Sequence, residues 1–239
     1  MNAGARVAWA ALALIVAGGF ASLGFWQAGR ADEKTRMLAA REAAQATGPA
    51  LLADALSADS PSLPMRVEGE VVIRPAPLLL LDNQQRDGRV GVRAYVPADA
   101  GRGGVVLMEL GWLPLAADRT LPAVEVPAGR RRIQGLLLPW PGQGLRLADN
   151  PWPEGADTIL LAFLERDDIA AHLDVQVWNG ILQPDPADPA DPLGYAREPG
   201  LLPDPMPPER HRGYAVQWWG LSLTVIITYL LLALRRKSR

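Results

Sequence analysis

Hydrophobic residues run without a charged interruption from Val7 to Phe25 and again from Tyr214 to Leu234, and nowhere else for so long. At about 1.5 Å per residue the first run covers about 28 Å, close to a hydrocarbon core of roughly 30 Å. Trp26 follows it, where an interfacial aromatic belongs. A cleaved leader with Arg6 as its basic end is the competing reading. The run is longer than the usual apolar stretch of about 7–15 residues, and no small-x-small site stands at its exit. It is therefore read as a retained anchor. The second run opens on Tyr214, Trp218 and Trp219 and ends against Arg235, Arg236, Lys237 and Arg239, an aromatic belt on one side and a basic stop on the other.

Between the two runs the pattern changes twice. Helix-forming residues continue from Trp26 to the breaker Gly48-Pro49, so the first span is expected to run on as a charged helix. Steps of four place Trp26, Arg30 and Lys34 on one face of it. Residues 51–56 read as a short helix. Beyond them the texture is β, with strands expected at 65–73, 78–83, 91–96, 104–112, 131–139 and 158–165. Arg86-Asp87-Gly88-Arg89 reads as a hairpin tip. Residues 166–173 form a further short helix. Residues 184–208 contain PDPADPADP and read as an extended tether, with a proline-rich docking ligand as the alternative.

The expected fold is a membrane α+β protein. Transmembrane helices at 7–26 and 214–234 flank one antiparallel, β-rich, extracytoplasmic domain at 27–213, with short tails at 1–6 and 235–239. Charge alone leaves the orientation open. Arg6 and the C-terminal basic cluster favour cytoplasmic termini, whereas Arg30, Lys34, Arg36, Arg41, Arg210 and Arg212 flank the opposite side. Long loops cross the membrane largely regardless of charge, which places the domain outside.

Composition narrows the chemistry. A formal charge of -2 gives no reason to expect a nucleic-acid partner. The absence of cysteine excludes disulfides, thiol chemistry and Cys-based metal sites. No nucleophile elbow, Walker loop or HExxH motif is present, so no enzyme is expected. GRGG at 101–104 and PGQG at 141–144 read as turns, and Asp167 and Asp168 as solvated carboxylates. Arg130-Arg131-Arg132 opens a strand, either as a solvated end or as a patch for lipid phosphate or a partner. A copper site lacks ligands, but haem brings four nitrogens of its own and asks only for an axial ligand and an apolar wall. The two histidines are His172 and His211. His172 reads as a surface or half-buried residue of the 166–173 helix. With a helix starting near Pro207-Pro208, His211 shares a face with Tyr214, Ala215 and Trp218. That position suits either an axial ligand or an interfacial polar residue.

Several short motifs, in order along the chain, resemble the surfeit locus protein 1 family. Leu23-Gly24-Phe25-Trp26-Gln27 with Arg30 and Lys34 is similar to its LGxWQxxRxxxK signature. Val67-x-Gly69, Gly91-Val92 through Pro97, and Ile133-x-Gly135 resemble strands of its domain. Gly111-Trp112-x-Pro114 resembles its RGWxP turn, and His211-x-x-Tyr214-Ala215-x-Gln217-Trp218 its HxxYAxQW motif before the second span. Two departures stand out: Glu109-Leu110 replaces the usual Asn-Arg, and Glu209 the usual Asn.

The resemblance implies an assembly factor for cytochrome c oxidase. It would sit in the inner membrane with its domain in the periplasm and both termini cytoplasmic. It would receive haem a from haem a synthase and aid insertion into subunit I, with the lipid bilayer as a further partner. It also implies His211 as axial ligand, Tyr214 and Trp218 as pocket residues, and Trp26, Gln27, Arg30, Gly111, Trp112 and Gln217 as structural or partner positions. Gly111 would permit a turn that a side chain would block, and Trp112 would pack that turn onto the domain. A scaffold that binds no haem and holds early oxidase intermediates is the alternative; which oxidase is served stays open.

Overall fold

The computed structural model describes residues 3–57, 61–101, 104–141, 149–185 and 206–235. Most of the proline- and aspartate-rich segment, the PGQG and GRGG interiors and the basic tail after Arg235 lie outside the described residues. Along the chain come α1 (Ala3–Ala46), β1 (Ala50–Leu51), α2 (Leu52–Ser57), β2 (Met65–Ile73), β3 (Leu78–Arg86) and β4 (Arg89–Asp99). Then follow β5 (Gly104–Pro114), β6 (Gly129–Leu138), β7 (Thr158–Leu161), α3 (Arg166–Leu173), β8 (Gln176–Pro184) and α4 (Pro208–Arg235). These form two units, Met1–Ala39 with Met206–Arg239, and Ala40–Pro205.

In the first unit, α1 and α4 are each long and apolar enough to cross a membrane. Pro208 opens α4, where its missing N–H is not needed and its fixed φ suits a first turn. Ala17, Gly24 and Ala31 of α1 are buried at seven-residue spacing, facing Pro208, His211, Ala215 and Ser222 of α4. Small residues here let the two backbones approach closely. The helices are antiparallel. Ser222 Oγ donates to the Ala17 carbonyl at 2.8 Å, Phe20 stacks on Trp218 at 5.6 Å, and His211 meets Gln27 further along. A Cβ at Gly24 would fall within the Trp219 indole. Val7, Leu14, Ile15, Leu223 and Leu231 point outward, a surface matched to hydrocarbon rather than to water.

Trp26, Arg30 and Lys34 do not share a face. Trp26 is 60% exposed and Lys34 is 2% exposed. An α-helix turns about 100° per residue, so two steps of four rotate the position by roughly 80°. Lys34 has moved into the seam, where its Nζ donates to the Met206 carbonyl at 2.5 Å.

The second unit is built on one eight-stranded sheet in the order β1-β2-β6-β8-β5-β4-β3-β7. Most pairs are antiparallel, as expected, but β1–β2, β3–β7 and β5–β8 are parallel. A short β2–β4 pairing at Val72↔Asp99 and Ile73↔Ala98 closes β2, β6, β8, β5 and β4 into a ring. Its interior is filled by Val67, Val71, Val92, Val96, Met108, Leu110, Leu137 and Leu182, with Leu52 and Leu56 of α2 packed against them. Leu79, Leu107, Ile159, Leu161, Ile169 and Ile181 form a second core that includes α3 and β7.

Asp87 and Gly88 at the β3–β4 tip both have positive φ, 49° and 74°, as a two-residue mirror-image turn requires. Gly111 is a correction. It lies inside β5 rather than in a turn, with φ 135° at a register shift where Ala94 pairs Gly111 and Tyr95 pairs Glu109. The extra residue is a bulge, and a bulge reverses the alternation of faces. Val106, Met108 and Leu110 point into the first core, but beyond the bulge it is Leu113, and not Trp112, that does so. Trp112 is thereby turned onto the same face as Glu109. Its ring crosses β4 above Gly91, where a Cβ would lie 2.5 Å from ring carbons, and its Nε1 donates to the Gln84 carbonyl of β3 at 2.8 Å. One indole thus ties three strands together.

Candidate functional site

The site in the helix unit is built where the seam leaves the aromatic belt. Arg6 and Arg30 on α1, and Arg212 and Arg235 on α4, bracket stretches of about 35 Å, between a hydrocarbon core and a full bilayer in length. Tyr214 is 42% exposed at one end of the apolar stretch. His211 is one turn further out, beyond the apolar stretch. It is 4% exposed, and its Nδ1 lies 2.6 Å from Gln27 Oε1. Ala215 and half-buried Trp218 continue the same stripe.

The structure thus puts His211 against Gln27 on the seam, with Trp218 two turns further along it against Phe20 and Tyr214 at its rim. Trp26 and Gln217 point away from it, and Arg30 forms an ion pair with Glu33 at 2.7 Å. Arg212 donates to Thr35 Oγ1 at 3.2 Å. Gly111 and Trp112 belong to the sheet unit, where both act on strand geometry.

That unit holds a second constellation, which the sequence reading missed. On the face turned away from the first core, Tyr95 of β4, Glu109 of β5 and Gln183 of β8 lie side by side. Glu109 is 3% exposed, accepts from Gln183 Nε2 at 3.0 Å and pairs with Arg93 at 3.7 Å. Arg41, from the last turns of α1, donates to Gln183 Oε1. Burial lowers the Arg41 pKa, Glu109 opposes that shift, and Arg93 adds to it. Burial, and next the Glu109 carboxylate, push the Tyr95 hydroxyl up, while Arg93 pulls it down. A carboxylate between two guanidinium groups is a fixing device, since removing one partner strands the others in a low-dielectric site. The signal was present in the sequence: Glu109 is the one charge in the apolar run GVVLMELGWLP.

His172 is partly exposed on α3 and stacks on Trp152 at 4.2 Å, with its Nδ1 2.8 Å from the Asp168 carbonyl. Asp168 in turn accepts from Asn150 at 2.8 Å and Trp152 at 3.3 Å, so it is a structural carboxylate rather than the solvated one expected. Arg130 and Arg132 are solvated and pair with Glu70 and Glu68. Among the described residues no group of three or more His, Cys, Asp or Glu side chains is placed to hold a metal ion.

A pair of apolar terminal helices around a partly closed β-sheet domain, with a histidine buried where the helices leave the apolar zone, defines a membrane-associated α+β class. The profile of the SURF1 family matches residues 14–223, and the chain belongs to that family, one of assembly factors associated with cytochrome c oxidase. No curated protein matches the chain in sequence.

Proposed function

We propose that the protein matures cytochrome c oxidase by holding haem a at His211 and aiding its insertion into subunit I. In this reading the haem comes from haem a synthase. The protein sits in the inner membrane with the sheet domain in the periplasm and both termini in the cytoplasm. The observation that carries the reading is His211 itself, a buried imidazole on the seam of two candidate spans just outside their apolar stretch, with Nδ1 engaged by Gln27.

The residues fit haem in kind. An imidazole supplies the axial donor, and Ala215 and Trp218 supply apolar surface beside it. His211 Nε2 is buried within the protein, so the seam has to open for that nitrogen to reach an iron. When bound, the haem would supply the iron centre destined for the oxidase. The chain's own residues hold the donor, exclude water from it and set its depth in the membrane.

The same burial favours a second reading. In it His211 ties the helices together, and the protein is a scaffold that holds early oxidase intermediates without haem.

One preparation separates the two. Purified from cells that make haem a, the wild-type protein is expected to show a haem spectrum, and His211→Ala to lose it. Equal haem in both variants removes His211 as ligand. Oxidase subunits that copurify unchanged without haem synthesis, and with His211→Ala, support the scaffold.

A further inference from the structure

We infer that Gln27 is a positioning residue that fixes the tautomer of His211, placing the proton on Nδ1 and making Nε2 the ligating nitrogen. The purpose of this arrangement rests on the haem reading; the arrangement itself does not. A neutral imidazole has one N–H and one lone pair, and the hydrogen bond made by one nitrogen decides the role of the other. Gln27 presents Oε1, an acceptor, to Nδ1 at 2.6 Å. An acceptor at that distance requires Nδ1 to donate, which leaves the lone pair on Nε2.

Both side chains belong to the same helix unit, and their elements limit the freedom of each. Gln27 lies between the buried positions Gly24 and Ala31 of α1, and His211 between Pro208 and Ala215 of α4. The ring is therefore held by packing as well as by the bond. An imidazole that donates its second N–H to a fixed oxygen is the outer-shell arrangement that orients a metal-binding histidine and raises its basicity. A glutamine does so without adding charge at this depth.

The test begins with the whole chain in detergent micelles, free of haem and labelled with ¹⁵N-histidine. His172→Asn leaves one imidazole, so its nitrogen shifts report His211 alone. At mildly alkaline pH the Nδ1–H form is expected in the otherwise wild-type chain and in Gln27→Glu, whose carboxylate still accepts. Gln27→Leu is expected to move the population toward the Nε2–H form that free neutral histidine favours. An Nε2–H tautomer with Gln27 in place, or the same tautomer in all three chains, overturns the assignment; the first of these outcomes needs no Gln27 variant to fold.

A second arm uses haem. Gln27→Leu is expected to bind about 10–100-fold more weakly than wild type. Gln27→Glu is expected to restore binding and to lower the reduction potential of the bound iron. A merely structural glutamine would not move that potential, so an unchanged value counts against the inference. If the tautomer follows Gln27 but His211→Ala keeps its haem, the haem reading fails and the positioning role stands.

Discussion

Replacing Glu109 by alanine leaves Arg41 and Arg93 in one site on the sheet without their carboxylate. Breaking a buried pair by deleting one partner typically costs about 3–5 kcal/mol, and the partial exposure of Arg41 places this case near 3. A denaturant titration of the variant against wild type measures the loss, and a difference below about 1 kcal/mol would show the cluster to be well solvated. Tyr95 adds a pH signature. Its hydroxyl titrates higher in the folded state than in the unfolded chain, so the folded state holds its proton where the unfolded chain has begun to lose it. The stability it contributes is full below the unfolded value of about 10 and is lost as pH rises beyond it. Tyr95→Phe is therefore expected to flatten the fall in stability above pH ~10, and an unchanged alkaline slope would place the sensitivity elsewhere.

At the scale of elements, the pairing of α1 with α4 makes a direct prediction. The chain has no native cysteine, and Ser222 Oγ bonds the Ala17 carbonyl, so Ala17→Cys with Ser222→Cys is expected to oxidise to an internal disulfide. A gel under non-reducing conditions reads the outcome, and failure to form, with both thiols reactive, would contradict the antiparallel seam. The long apolar runs and the Asp87-Gly88 hairpin were legible in the sequence because one kind of signal, charge-free length or turn chemistry, fixed each. What the sequence hid was relational. The parity reversal at Gly111 depends on a bulge, and a glycine within a strand does not say whether it bends a turn or a ladder. β8 was missed because Asn179-Gly180 interrupts its alternation, at a place where its register against β5 also shifts. Trp26, Arg30 and Lys34 were misplaced by treating the helix as four residues per turn. His211 was singled out first by its place on the face of the second helix and then by its motif, and Gln27 by the motif alone; the bond between them was not readable from either position.

For the molecule as a whole, two outward-facing apolar helices predict that the protein stays with the membrane fraction after an alkaline carbonate wash and enters solution only with detergent. Release by carbonate alone would argue that the helices do not span. Protease added to intact spheroplasts tests the proposed orientation: cleavage within the sheet domain, with both termini protected, is expected, and the reverse pattern places the domain in the cytoplasm.

The order of the strands has a consequence for synthesis. Among the described residues β8 is the last strand to be made, yet it lies between β5 and β6, which precede it in the chain. Until Gln176–Pro184 has emerged, the edges of β5 and β6 that it pairs with stay open, a template for pairing with other chains. The local β3–β4–β5 meander can form early, because its contacts are close in sequence. The ring closes only when β8 slides between its neighbours. A ribosome stalled just before β8 should therefore hold a chain that is captured by strand-binding chaperones, and one stalled well after it should not.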